Sequence, residues 1–368
     1  MRLGILGGTF DPIHKGHILM AKTALSGLWL DKVVFIPAGD PYFKSGSQNI
    51  SLAVHRLNMT KLAIEGEPAF EASDMEIARE GQTYTSDTLK ELSEKYPGDE
   101  LFFILGADTL VQFSTWHEPE KICDLASLAV FGRRDQTGDE RLSSEIDSLR
   151  ERFGARIHLV DWDGFETSST EIRERAAKDE AEDEVPAAVL EYIREIGLYR
   201  PHPSLEQMKA RLRRELKPSR FIHSLGVADT ACDMACIYGE DPDRAYLAGL
   251  LHDVGKPYGG ALGHAAAGAA IAEKYYGIED KEILSAIAHH TVGSPDMGLL
   301  EEIVYVADMI EPGREGIPDL ERLRELAYSD IKKAVFACAA STLSHLKEKG
   351  KSIDEATLSV YNKYSFYC

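Results

Sequence analysis

Short apolar runs and amphipathic stretches alternate through the first half of the chain. RLGILGG, KVVFIPAG, ELFFILGAD, SLAVFGR and RIHLVDW read as strands, and helical patterns cover residues 16 to 28 and about 51 to 65. Strand and helix in repeated alternation predict a parallel sheet flanked by helices. After Asp163 the strand signal stops. AAKDEAEDEVP, a charge run, is expected to form a solvated helix end or loop, and AVLEYIREIGLYR one more helix with a Gly near its end. PHPS then supplies the Pro-rich break that suits a domain boundary. From Ser204 onward nearly every segment has helical period, so the second domain is expected to be all-helical. The expected organisation is an α/β Rossmann-like domain over residues 1–200, a linker at 201–204 and an all-α domain over 205–368.

Composition narrows the chemistry. With 41 Lys plus Arg against 61 Asp plus Glu, the formal charge of -20 excludes a protein that wraps a nucleic-acid backbone. Phosphate binding must therefore rest on a few local cations, backbone amides or metal ions. No apolar run reaches the roughly 20 residues of a membrane span, and MRLGILGGTF lacks the pattern of a signal peptide, so a cytoplasmic location is expected. Five scattered cysteines argue against a disulfide framework; Cys232 and Cys236, four apart, are expected to be small buried packing residues.

The strongest local signal is GILGGTFDPIHKGH, where a strand runs into Gly7 and Gly8, then a turn, then His14 and His17. Glycines after a strand let backbone lie against phosphates, and a following helix start favours anions. Three residues apart at a helix start, His14 and His17 point the same way, which suits charge developing on a transferring phosphoryl group. Far along the chain, Ser168 followed by Glu171 makes a capping box with Arg173 one turn on, another helix start suited to anions.

The first string resembles the signature of the HxGH nucleotidyltransferase superfamily, and TSSTEIRE resembles its second element. IPAGDPYFK, HRLNMTKLAI, SDMEIAREGQTYTSDTL, LGADTLVQFSTWHEPEKI and VLEYIREIGLYR resemble, in order, segments of the bacterial nicotinate-mononucleotide adenylyltransferases. The resemblance implies transfer of AMP from ATP to nicotinate mononucleotide with Mg²⁺, with His14, His17, Lys44 and Arg173 as catalytic residues. By the same resemblance Gly7, Gly8, Thr9, Phe10, Ser168, Ser169 and Thr170 face ATP, Trp116 stacks on the pyridine ring, and Tyr84, Thr85, Gly106 and Asp108 line the pocket. Two departures stand out: Tyr42 and Phe43 occupy the loop where the family commonly has Pro-His, and Arg133 and Arg134 leave open which one meets phosphate. Nicotinamide mononucleotide and pantetheine phosphate are the competing substrates.

In the helical half, His223, His252, Asp253, His264, His290 and Asp308 occur in largely apolar strings. A buried carboxylate needs a cation, and Lys and Arg are scarce in those strings except for Lys256, so a metal is the economical partner for Asp253 and Asp308. Imidazole with carboxylate suits iron, manganese, zinc or nickel.

The order His, His-Asp, His, His, Asp resembles the HD phosphohydrolase superfamily, in particular its small members that split diadenosine tetraphosphate symmetrically into two ADP. That resemblance implies two transition-metal ions, iron first. His223, His252, Asp253 and Asp308 hold one; His264 and His290 complete the second; Asp253 bridges, and Lys256, and by extension Arg314, meets phosphate. His290 is preferred over His289 on the same ground. The reading is a bifunctional enzyme whose ligands are ATP, nicotinate mononucleotide and dinucleoside polyphosphates, with homo-oligomerisation left open. Its rival is a second domain that senses nucleotides or oligomerises around a metal without turnover.

Overall fold

In the computed structural model, which describes residues 1–39, 50–79, 81–132, 140–162, 168–258 and 263–367, the chain divides into two compact units, Met1–Tyr199 and Arg200–Cys368. The first runs β1 (Arg2–Gly8), α1 (Lys15–Gly27), β2 (Lys32–Pro37), α2 (Ala53–Ile64), β3 (Phe70–Ala72), α3 (Met75–Ala78), α4 (Thr85–Lys95), β4 (Glu100–Gly106), α5 (Ala107–Leu110), α6 (Pro119–Leu125), β5 (Ala126–Gly132), α7 (Glu140–Phe153), β6 (Ile157–Asp161), α8 (Ser169–Ala177) and α9 (Ala187–Ile196). All six strands are parallel, in the order β3-β2-β1-β4-β5-β6. Leu3, Ile5, Val34, Ile36, Phe103, Leu105, Leu128 and Val130 form one core with Leu89, Leu92, Ile122, Leu142 and Leu149 from the covering helices. Burial on both faces explains why the central strands read as continuous apolar runs.

The strand order turns back between β1 and β4, and ligands of open parallel sheets bind at the carboxyl ends of such a pair. Leu6 lies opposite Ile104, so two residues further on the strands end at Gly8 and Gly106. β3 is an element the sequence pattern does not announce. Its three residues are too few to display a period, and only pairing of Val33–Phe35 with Phe70–Ala72 defines it.

AAKDEAEDEVP is the helix end and loop expected, with Lys178, Glu180, Glu182 and Asp183 exposed, yet part of it is packed. Ala181 and Val185 are buried, Glu184 pairs with Arg175, and the Glu184 carbonyl accepts from the Lys15 amide at 2.7 Å. The stretch docks on the start of α1, directly beside the two histidines.

The second unit is entirely helical among its described residues: α10 (Leu205–Glu215), α11 (Pro218–Tyr238), α12 (Pro242–Leu251), α13 (His264–Tyr276), α14 (Lys281–His289), α15 (Leu299–Ile310), α16 (Leu320–Ala327), α17 (Ile331–Glu348) and α18 (Glu355–Tyr364), with short 3-10 turns. Part of the acidic surplus caps helices: Asp241, Asp280, Asp330 and Asp354 each accept a backbone amide at a helix start. Pro201 and Ser204, expected in a linker, belong to this unit, Pro201 lying against Gly277 and Ser204 capping α10. Cys232 is half-buried and Cys236 exposed on α11, so neither is the buried packing residue expected. No helix among the described residues is long and apolar enough to cross a membrane.

Glycines permit the close approaches that assemble this bundle. A Cβ on Gly249 would stand 2.9 Å from Ala228 Cα, and one on Gly255 would stand 2.1 Å from the His264 carbonyl and 2.4 Å from the Gly268 amide. Gly255→Ala must therefore push the turn after α12 off α13. We expect a loss of about 3 kcal/mol, the upper range for overpacking, read as a lowered unfolding midpoint of the full chain.

Candidate functional site

Two clusters of polar side chains stand out, one in each unit. In the first, His14 is the N-cap of α1 and its amide donates to His17 Nδ1 at 3.2 Å; the two rings lie 3.7 Å apart, centroid to centroid. His17 also meets the buried Phe10 ring edge-on at 5.0 Å. Burial lowers the His14 imidazole to about 4 and, with the neighbouring His14, lowers His17 well below its ordinary value. Both are therefore neutral at pH 7 and offer N–H donors without repelling each other.

A buried frame holds this turn. Arg56, fully buried, donates to the carbonyls of Thr9 (2.9 Å), Ser51 (2.9 Å) and Gly39 (3.3 Å). The Asp11 carboxylate accepts from the Ser51 amide at 3.0 Å and the Tyr199 hydroxyl at 2.8 Å. Arg173 donates to the Asp11 carbonyl at 2.9 Å and to Thr170 Oγ1 at 3.1 Å, so it reaches the histidine turn across 162 residues of sequence. Ser168 caps α8 by the reciprocal bond with Glu171, beside Ser169 and Thr170 in its first turn. Gly7 and Thr9 are exposed at the end of β1.

Further along the sheet edge, Tyr84, Thr85 and Trp116 line a cavity of about 160 Å³ together with Thr83, His117 and Ile122. Trp116 stacks on Phe113 at 5.1 Å, and Tyr84 lies over His117 at 4.1 Å. Gly106 caps α5, whose first turn carries the exposed Asp108; neither lines this cavity. Lys44, Arg133 and Arg134, and the Tyr42–Phe43 departure, lie outside the described residues.

In the second unit, Asp253 sits at the centre of the other cluster, 2% exposed. Its Oδ2 is 3.4 Å from His252 Nε2 and 4.0 Å from His223 Nε2; its Oδ1 is 3.5 Å from His290 Nε2 and 3.7 Å from His264 Nε2. Asp308 Oδ1 lies 3.0 Å from His223 Nε2 and 3.7 Å from His252 Nε2. One carboxylate thus faces two donor sets from its two oxygens.

Helix ends aim these rings. His252 and His290 follow the last turns of α12 and α14, and their Nδ1 atoms lie 2.7 Å from the Gly249 and Ile287 carbonyls. A carbonyl only accepts, so Nδ1 carries a proton, and in the neutral ring Nε2 presents a lone pair. His252 Nε2 is buried with no hydrogen-bond partner, facing carboxylate oxygens. A lone pair set against anions fits a cation between them, and the donor set of imidazole and carboxylate fits a transition metal. His223–His252–Asp308 and His252–Asp253–His290 are groups able to hold one.

Glu311, Thr291 and Arg220 were not legible as site residues. Glu311 accepts from His223 Nδ1 at 3.0 Å, the outer carboxylate that orients a ligating histidine. Thr291 places its hydroxyl 2.9 Å from His290 Nε2. Arg220 donates to Asp253 Oδ2 at 2.7 Å, and Arg314 donates to Asp308. These guanidinium groups correct the reasoning that cations are scarce here: the argument for a metal rests on the inward lone pairs, not on unpaired carboxylates. Lys256 Nζ lies 3.6 Å from Asp253 Oδ1, and His289 turns away to Glu301 at 2.7 Å.

Residues 5–175 match the cytidylyltransferase-like family model and residues 220–313 the HD domain. The probable nicotinate-nucleotide adenylyltransferase of Lachnoclostridium phytofermentans is 40% identical over 199 residues, 54% of this chain and 98% of its own. The chain belongs to the nicotinate-nucleotide adenylyltransferase family. The probable adenylyltransferase of Dehalococcoides mccartyi strain 195 is 42% identical over 201 residues, 54% of this chain and 97% of its own. The chain is also similar to a crystal structure described as a predicted HD superfamily hydrolase involved in NAD metabolism from Clostridium acetobutylicum. That similarity is 35% identity over 45% of this chain and all of the other, with a TM-score of 0.42.

The depressed pKa of His14 in the adenylyltransferase unit has a sign that can be tested. The folded state resists protonation that the unfolded chain accepts near pH 6.5, so stability present above that value is lost as pH falls toward 4. His14→Gln should flatten this fall, measured as the unfolding midpoint between pH 7 and 4. Parallel curves for the two proteins would contradict the assignment.

Proposed function

We propose that the first unit transfers the adenylyl group of ATP to nicotinate mononucleotide, forming nicotinate adenine dinucleotide and pyrophosphate. The second unit, in this reading, hydrolyses dinucleoside polyphosphates such as diadenosine tetraphosphate to ADP. For the transfer, the supporting observation is the meeting of His14, His17 and Arg173 at the end of β1. The mononucleotide phosphate oxygen attacks the α-phosphorus of ATP, a new P–O bond forms, and the bond to the β-phosphate oxygen breaks. Phosphate is already a nucleophile, so the protein's part is in-line positioning and neutralisation of charge. Neutral imidazole N–H groups, the Arg173 fork and the start of α8 supply donors for the triphosphate, with Lys44 assigned to it by resemblance. Mg²⁺ is bound chiefly by phosphates and water. The cavity of Trp116 and Tyr84 takes the pyridine ring, and the first turn of α4 at Thr85 offers amides to its carboxylate.

This chain, given ATP with nicotinate mononucleotide, nicotinamide mononucleotide or pantetheine phosphate, should turn over the first by far the fastest. Trp116→Ala should raise the KM for the pyridine mononucleotide much more than that for ATP. Equal effects would remove the ring from its place.

For the hydrolase, the supporting observation is the buried, unpartnered Nε2 of His252. His223, His252, Asp253 and Asp308 would hold one metal ion, and His264, His290 and the shared Asp253 a second, with iron, manganese, zinc or nickel suited to the set. When bound, a pair of such ions supplies a hydroxide nucleophile and neutralises the leaving oxygen of a phosphoanhydride. A module that binds nucleotide without turnover is the second reading, favoured by the guanidinium already on each carboxylate. Incubation of the metal-loaded protein with diadenosine tetraphosphate should release ADP, and Asp253→Asn should abolish the release. No ADP with either iron or manganese present would select the module.

A further inference from the structure

Arg220 and Arg314 stand where the charge balance of the second cluster is hardest to reconcile with a metal pair. Each guanidinium has one end on a carboxylate, Arg314 also donating from Nε to the Asp308 carbonyl at 2.7 Å, and each is partly open: the Arg220 side chain is 39% exposed and that of Arg314 33%, against 2% for Asp253 and 21% for Asp308. Arg220 comes from the first turn of α11 and Arg314 from just beyond α15, so they reach the cluster from two elements. Lys256 Nζ adds a third positive charge near Asp253 Oδ1. With Glu311, which accepts from His223, three carboxylates therefore meet three cations before any metal arrives.

Adding two divalent ions to that set leaves a strong excess of positive charge among groups 2.7 to 4.0 Å from Asp253. Like charges that close repel one another unless an anion lies among them. The Oδ2 atom bound by Arg220 is the same atom that faces His252 and His223, so guanidinium and metal compete for one oxygen. Because both arginine side chains are partly open to solvent, each can leave its carboxylate without leaving the rim of the site.

We propose that Arg220 is an exchange cation: it neutralises Asp253 while the metal is absent and passes to a phosphate of the polyphosphate ligand when metal enters, so that metal and phosphate bind cooperatively. Arg314 occupies the matching place on Asp308. This assignment rests on the hydrolase reading for the class of ligand, not for turnover. A chain of phosphates carries the several negative charges that the loaded site lacks, and the planar fork of an arginine matches a phosphate in two-bond geometry.

The test is calorimetric titration of the full chain with Mn²⁺, with and without inorganic pyrophosphate. The Asp253→Asn protein serves as baseline to remove binding at the adenylyltransferase unit. In the native chain pyrophosphate should tighten Mn²⁺ binding by about fivefold or more, the range of ordinary coupling between sites. In Arg220→Gln, Mn²⁺ alone should bind more tightly than in the native chain, since its competitor is gone, and the pyrophosphate effect should fall below about twofold. Arg220→Lys should retain part of it. Weaker Mn²⁺ binding in Arg220→Gln, by the roughly 10- to 100-fold typical of losing an outer anchor of a metal ligand, would overturn the proposal, as would an unchanged pyrophosphate effect. Cooperative binding without ADP release from diadenosine tetraphosphate would leave Arg220 in its role and refute the hydrolase instead.

Discussion

When a backbone carbonyl takes the Nδ1–H of a neutral histidine, the opposite nitrogen is left as the acceptor. Gly249 and Ile287 do this for His252 and His290. Both rings stand just past a helix end, where the last carbonyls lack partners within the helix, so the same bond finishes the helix and turns a lone pair inward. The consequence is an interior rich in acceptors. Glu311 turns His223 toward the cluster from behind, and the close approach allowed by Gly255 brings His264 over Asp253. Cations must complete such a centre, and the arginines and the metal are rival ways of doing so.

The first unit is built in the opposite sense, with donors facing the ligand. Buried Arg56 gathers the carbonyls of Thr9, Ser51 and Gly39 onto one guanidinium, which keeps those acceptors pointed into the protein. Asp11 is consumed by the Ser51 amide and the Tyr199 hydroxyl, so its charge faces the frame. What remains toward the end of β1 are imidazole N–H groups, the Arg173 fork and the start of α8. A chain of net charge -20 can thus offer a polyanion a local environment of donors, because the field at a site depends on the groups within a few ångströms.

Much of this was legible along the chain because it depends on short spacings. Apolar runs reveal five strands, three-residue spacing places His14 beside His17, and Ser168 with Glu171 announces a helix start. Interactions between distant positions were not legible. Counting cations in the strings around Asp253 and Asp308 left out Arg220, 33 residues from its carboxylate. Arg56 lies in the HRLNMTKLAI segment, yet its effect comes from three carbonyls that converge only in space. The acidic run before α9 had the composition of a solvated segment, but two small apolar residues and one backbone carbonyl decide its place. The three residues of β3 are defined by their partner strand alone.

Trp116 shows why reading a residue as core or as function is a false choice. One of its faces stacks on Phe113 and its edge meets Phe103 at 6.0 Å, which is ordinary packing, while the same ring lines the small cavity. A platform that rotated freely would lose entropy each time a ring settled on it, whereas one already fixed by the core has lost it during folding. His17 against Phe10, and His252 and His290 against their carbonyls, follow the same rule. In each case the chemistry available on the open side is set by an ordinary contact on the closed one, so a substitution behind the side chain should disturb function as surely as one at its tip.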